Sequence, residues 1–305
     1  MVKKDGHSHT EFCPHGSGDS VELMIQKAIK LGFKEYSITE HAPLPPEFRQ
    51  DYQGYASGFD EASMALSDLP AYFKTCRALQ AKYASQLKIN IGFELDFLPS
   101  QLAWTRDFWQ EYGPQTSDNV LSIHFLKGLD HKYWCVDNTP TEMAQGLLPE
   151  AAGNAQRLYG EYIDALKVAV TTDLGPNAPK RLGHITLIKK FQDYFQLPAK
   201  FDAANLTKVK ELLTLVKANH FELDMNTAGL YKATAMKPIH IPKSANWLKA
   251  WASPSSMAPT PIASLPSVKA IIKWRIWWLY NISEISIFEV VTDMPLSSIT
   301  CYSVV

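Results

Sequence analysis

The chain has 305 residues, 46% of them apolar, and a formal net charge of -1, which is enough length for one α/β barrel and too little positive charge for a nucleic-acid surface. No apolar run is long enough to cross a bilayer and the first residues do not read as a signal segment, so no membrane association is expected. Cys13, Cys76, Cys135 and Cys301 lack CxxC spacing, which argues against both a disulfide framework and a thiolate zinc site; a cytoplasmic enzyme is expected.

The chain opens on Asp5-Gly6-His7-Ser8-His9-Thr10-Glu11-Phe12-Cys13-Pro14-His15. In an extended segment positions i and i+2 share a face, so His7 and His9 can aim at one metal ion, and imidazole suits first-row metals. Asp19 or Ser20 caps a helix over Val21 to Leu31, closed by Gly32. A strand follows from Tyr36 to His41. A long helical stretch from about Asp60 to Ser85 leads into a strand from Leu87 to Glu94, and Val120 to His124 forms another. A helix from Ala155 to Val170 precedes Arg181-Leu182-Gly183-His184, and a helix from Leu206 to Ala218 precedes the strand Phe221 to Asn226. Alternating strands and helices predict a parallel sheet, and polar residues closing successive strands are where barrel active sites are built. The fold expected is a distorted (β/α) barrel.

These segments resemble the PHP (polymerase and histidinol phosphatase) family. The resemblance rests on residues 5 to 15, Ile38-Thr39-Glu40-His41-Ala42-Pro43, Gly92-Phe93-Glu94-Leu95-Asp96, Ser122-Ile123-His124 and Gly183-His184. It covers residues 1 to about 231 and is strongest toward monofunctional histidinol-phosphatases. It implies a (β/α)7 TIM-like barrel carrying three divalent metal ions (zinc, manganese or iron). His7, His9 and Glu94 would hold the first ion, Glu94, His124 and His184 the second, and His15 and His41 the third. A bridging carboxylate holds two cations about 3.5–4 Å apart, which suits phosphoester hydrolysis. The implied reaction is hydrolysis of the small-molecule ester L-histidinol phosphate in histidine biosynthesis, with Glu94 and Arg157 as catalytic residues and a homo-oligomer possible. Arg157 or Arg181 would clamp the phosphate, though Arg157 also fits a solvated helical charge. Asp5 is expected to orient a ligand histidine, and Glu40 either to do likewise or to face solvent. Cys13 reads as packing, Asn226 as a site-lining or structural amide, and His131, His220 and His240 as ordinary.

The chain departs from the family after Lys232. The family's Gly-Ser-Asp-x-His segment, whose Asp and His complete the first and third sites, does not occur, and no acidic residue appears until Glu284. Residues 232–305 therefore read as an aberrant tail, with the barrel's last strands missing or replaced. A reading-frame shift near Lys232, with codons shifted by two bases, would account for the break. Met236-Lys237 must then give Glu, while Trp251-Ala252 and Met257-Ala258 must each give Gly. With synonymous choices elsewhere, Thr234 to Ile262 can read through to Tyr-Gly-Ser-Asp-Ser-His, and Tyr280-Asn281 can read as a stop. The alternatives are a genuine extension with an interfacial segment near Ile271 to Leu279, a pseudoenzyme short of ligands, or a barrel acting on another phosphoester such as a nucleic-acid end.

Overall fold

The computed structural model describes residues 4–226 and 299–302 of the chain. In chain order, the first half holds β1 (Lys4–Asp5), α1 (Val21–Lys30), β2 (Glu35–His41), α2 (Phe48–Asp51), α3 (Ser57–Asp60), α4 (Leu69–Tyr83), β3 (Lys88–Asp96) and α5 (Leu102–Tyr112). Next come β4 (Val120–Ser122), β5 (Phe125–Lys127), β6 (Tyr133–Cys135), α6 (Pro140–Glu150) and α7 (Ala155–Thr171). The described chain ends with β7 (Arg181–Leu182), α8 (Ala203–Ala218), β8 (Glu222–Asn226) and β9 (Ile299–Tyr302).

Seven strands form one parallel sheet in the order β1-β2-β3-β4-β7-β8-β9. Its end strands, β1 and β9, approach each other, so the sheet curls into a barrel wall. β2 is buried on both faces from Tyr36 to His41, as expected of a parallel strand covered by helices. Behind it α1 buries Val21, Met24, Ile25 and Ala28, a helical-period stripe, and Ser20 caps the helix by accepting from the Leu23 N–H at 3.2 Å. The Tyr72 hydroxyl of α4 donates to the Gly92 carbonyl of β3 at 2.6 Å, and Tyr162 of α7 reaches the Ile123 carbonyl at 3.3 Å. Gly92 itself is sterically required: a Cβ there would sit 1.7 Å from the Asp118 carbonyl oxygen.

Three expectations change. The long helix expected from about Asp60 begins only at Leu69, after a non-helical stretch and a single 3-10 turn, with Pro70 in its first turn, where a proline fits. The fourth strand stops at Ser122, two residues short, since the Asp96 carboxylate takes the His124 N–H at 3.2 Å. The seventh place in the sheet is taken by β9, which pairs with β8 in the register Asp224↔Thr300, so one strand belongs to the segment set apart at residue 232. Apart from 299–302, the proposed shifted reading and the segment near Ile271 to Leu279 lie outside the described residues.

A small cap not foreseen from the sequence covers one side of the strand ends. The antiparallel pair β5–β6 packs Phe125 and Tyr133 against Phe48 and Tyr52 in a separate apolar cluster. The buried Glu142 ties it together, accepting from the Tyr52 hydroxyl at 2.5 Å, the Cys135 N–H at 3.0 Å and the Asn138 amide at 2.8 Å. Among the described residues no helix is long and apolar enough to cross a membrane.

Candidate metal centre

Each sheet strand up to β8 delivers polar side chains to the same end. His7 and His9 follow β1, and Ser8 between them fastens the segment to β2. Its N–H donates to Thr39 Oγ1 at 3.0 Å and its hydroxyl to the Ser37 carbonyl at 2.8 Å. His41 closes β2 and lies in register with Glu94 of β3. His124 follows β4 and His184 follows β7.

Glu94 is the hub. Its Oε2 lies 2.8 Å from His7 Nε2, 3.2 Å from His9 Nε2 and 3.4 Å from His41 Nε2, while its Oε1 lies 2.8 Å from His184 Nε2 and 3.6 Å from His124 Nε2. Ser122 Oγ donates to the same Oε1 at 2.5 Å. One carboxylate cannot accept well-directed hydrogen bonds from six groups at once. Moreover His9 Nδ1, His41 Nδ1 and His184 Nδ1 are buried without hydrogen-bond partners among the described residues, an arrangement that is costly unless something else converges there. Three sets bring donor atoms within 4.8 Å of one another: His7–Glu94–His184, His41–Glu94–His124 and His9–Cys13–His41. Imidazole nitrogens around a carboxylate are a donor set for a divalent transition metal, so the residues fit such an ion.

His7 and His9 both reach Glu94 Oε2, and His124 and His184 both reach Oε1. The tight donor sets also join His9 to His41 and His184 to His7, groupings that the sequence reading did not contain. His15 is exposed, its Nδ1 donating to the Glu61 carbonyl at 2.6 Å, with its ring 5.0 Å from that of His41.

Two carboxylates that the sequence reading left without a role orient the imidazoles. Asp224 Oδ2 lies 2.8 Å from His7 Nδ1, and Asp96 Oδ1 lies 2.7 Å from His124 Nδ1. Each such bond puts a proton on Nδ1 and turns Nε2 toward Glu94. Burial pulls the His7 pKa down, but Glu94 and Asp224 outweigh it and hold it at about 10. His124 is likewise lowered by burial but raised by Asp96 and Glu94 to about 10. For His9 and His41 burial wins, and both are lowered. Burial raises Glu94, yet the surrounding imidazoles leave it well below the usual carboxylate range.

The orienting role expected of Asp5 belongs to Asp224. Asp5 accepts the His7 backbone N–H, at 3.4 Å, and burial raises its pKa to about 8. Glu40 does not face solvent. It is fully buried, accepts from the Thr10 N–H at 2.6 Å and hydroxyl at 2.5 Å, and burial raises its pKa to about 7. Arg181 is no phosphate clamp: it is 2% exposed and donates to Gly6 O, Asp118 Oδ1 and Asp224 Oδ1 at 2.7, 3.0 and 3.3 Å. The structure does not bring Arg157 into the cluster. From the first turn of α7 its half-exposed guanidinium donates to Glu161 at 2.8 Å and Glu150 at 2.9 Å, because two carboxylates lie within its reach on the helix surface.

Comparison with known proteins places the chain in a family. The PHP domain model matches residues 5–228. The histidinol-phosphatase of Bacillus subtilis is 35% identical over 235 residues, 77% of this chain and 84% of that protein. A crystal structure from Listeria monocytogenes, provisionally named a histidinol phosphatase, superposes with a TM-score of 0.74 at 46% identity, covering 76% of this chain and 85% of that one. The histidinol phosphate phosphatase of Lactococcus lactis, solved with zinc, L-histidinol and phosphate, shares the fold at a TM-score of 0.53 and 19% identity, over 76% of each chain. With a family match over most of its length and strand ends that converge on one buried glutamate, the chain belongs to the PHP domain family.

Proposed function

We propose that the chain is a metal-dependent phosphomonoesterase that hydrolyses L-histidinol phosphate to L-histidinol and phosphate, in histidine biosynthesis. The observation that carries the metal dependence is Glu94, with five imidazole nitrogens within 3.6 Å of its two oxygens. The substrate follows from the B. subtilis relative, whose name is histidinol-phosphatase. Three divalent ions are proposed, held by His7, His9, His15, His41, Glu94, His124 and His184. When bound, such ions supply Lewis-acid charge and make water a competent nucleophile at neutral pH.

The chain's own residues have separable tasks. Glu94 shares its oxygens between two donor sets, so it can bridge two ions. Asp224 and Asp96 keep the Nδ1 protons of His7 and His124, leaving each Nε2 to ligate. Ser122 fixes the Glu94 carboxylate through its 2.5 Å bond. Arg157, at the start of α7, would have to leave Glu150 and Glu161 to reach a phosphate.

The missing Gly-Ser-Asp-x-His segment favours a second reading of the chain as written, a scaffold that holds metal weakly and turns over poorly. We attribute the break after Lys232 to a reading-frame shift, and resequencing the codons for Met225 to Ile282 tests that. The functional test is phosphate release from L-histidinol phosphate with added manganese or zinc, using the chain as written and an in-frame repaired form. Turnover that chelation abolishes and metal restores is expected of the repaired form; no turnover by it under any metal refutes the function. Three tightly held ions per chain as written would refute the weak scaffold.

A further inference from the structure

We propose that the Cys13 sulfur is a metal ligand, forming with the imidazoles of His9, His15 and His41 a site that takes a soft zinc-type ion in preference to manganese or magnesium. The inference rests on the metal-centre reading above and adds to it a ligand of a different chemical kind.

Cys13 is 4% exposed, yet it belongs to neither of the apolar clusters formed by the described residues. Cys76, by contrast, is a packing thiol inside the main core. The turn that carries Cys13 is held by two backbone bonds of 3.0 Å, from the Cys13 N–H to the Thr10 carbonyl and from the Gly16 N–H to the Cys13 carbonyl. That turn leaves Sγ among histidine rings. It lies 3.5 Å from His15 Nδ1 and 3.6 Å from His15 Nε2. Near-equal distances to both nitrogens are not those of one directed thiol hydrogen bond. They place the sulfur against the face or Cε1 edge of the ring, so the imidazole must turn for its Nε2 and Sγ to share one ion. With Zn–S near 2.3 Å and Zn–N near 2.0–2.1 Å, a tetrahedral edge between sulfur and nitrogen spans about 3.6 Å.

Three further observations point the same way. The donor atoms of His9, Cys13 and His41 all lie within 4.8 Å of one another. His9 Nδ1 and His41 Nδ1 are buried without hydrogen-bond partners among the described residues, the Glu40 carboxylate lying 3.8 Å from His9 Nδ1. His15 Nδ1 gives its proton to the Glu61 carbonyl at 2.6 Å, which leaves Nε2 as the ligating nitrogen. As the sulfur–metal bond forms, the thiol proton leaves to solvent. The resulting thiolate brings a negative charge that three neutral imidazoles lack, and thiolate sulfur discriminates against hard ions.

The experiment uses the full chain loaded with zinc or with cobalt, and a Cys13→Ser variant. Zinc-edge X-ray absorption of the unaltered chain should show a sulfur shell at about 2.3 Å. Cobalt-loaded protein should show a near-ultraviolet sulfur-to-metal charge-transfer band that Cys13→Ser loses while keeping its visible ligand-field bands. Zinc affinity of one site should fall about tenfold or more in the variant, at least the loss that follows when a group merely supporting a ligand is removed, with manganese affinity unchanged. Retained metals with only nitrogen and oxygen neighbours would overturn the Cys13 assignment and leave the metal centre standing. A charge-transfer band that survives Cys13→Ser would overturn it too, by placing another cysteine on the metal. A chain that retains no metal would overturn both readings. The absorption measurement needs no variant, so misfolding of Cys13→Ser does not blunt the test.

Discussion

Truncating Asp224 to alanine separates the two jobs that its carboxylate does. One oxygen holds His7 Nδ1 at 2.8 Å and the other holds Arg181 Nη1 at 3.3 Å, in surroundings where both Asp224 and Arg181 are almost wholly buried. Removing one member of a buried charged pair costs about 3–5 kcal/mol when the partner is left uncompensated. Arg181 keeps Asp118 at 3.0 Å and the Gly6 carbonyl at 2.7 Å, so the loss should fall at the lower end, about 3 kcal/mol. Asp224→Asn preserves shape and one acceptor and should cost about 1–2 kcal/mol, the difference between a charged and a neutral hydrogen bond. Urea denaturation of chelator-treated protein reads both values. Zinc competition with a chromophoric chelator reads the second job. Losing the carboxylate behind a ligating imidazole weakens metal binding about 10- to 100-fold. An alanine variant within about 0.5 kcal/mol of the parent, with zinc affinity unchanged, would refute the claim that Asp224 organises this site.

Other consequences can be checked independently. Gly92→Ala puts a Cβ 1.7 Å from the Asp118 carbonyl, so β3 and the loop before β4 must separate; a loss above about 4 kcal/mol or insoluble protein is expected, and a melting temperature within a few degrees of the parent would contradict it. Lys189 is held down to about 8 by burial, under the rings of Tyr159 and Phe201. Its unfolded pKa of 10.5 is the higher one, so at this group the unfolded chain binds the extra proton and the contribution of Lys189 to stability rises with pH between about 8 and 10.5, against the opposite contributions of His7 and His124. Lys189→Met should remove that contribution, so its melting temperature should change more unfavourably with rising pH than the parent's across the interval; an equal slope in both proteins would exclude it. Arg157→Ala should change stability by less than about 1 kcal/mol, because exposed ion pairs contribute little. A larger change in urea denaturation would mean that the pairs with Glu150 and Glu161 matter structurally.

Much of the centre was visible in the sequence because it depends on period and position. A strand that ends in a histidine or glutamate announces a side chain at the mouth of a barrel, and the His7-x-His9 spacing is local. Asp96 carried a signal of the same kind, two residues beyond Glu94 and so on the same face of β3. Asp224 carried less. An aspartate within β8 has nothing in its neighbours to distinguish it from a structural acid, and its partners are His7 and Arg181, remote in sequence. The pairings of His9 with His41 and of His7 with His184 were illegible because they depend on how β1, β2 and β7 approach across the barrel. The cap was missed for a related reason: β5 and β6 are short, and their stability comes from aromatic contacts with Phe48 and Tyr52 rather than from any periodic pattern.

β9 has a consequence for how such proteins can change. The bonds that seat Ile299–Tyr302 on β8 run between backbones, and a backbone ladder asks of its occupant only that it be extended. A ligand position asks for one side chain and accepts few substitutes. The wall of the barrel and the chemistry at its mouth therefore tolerate altered sequence unequally. A lineage that rewrites its closing strand can keep its architecture long after its catalysis has gone, and overall shape then becomes a poor witness to activity.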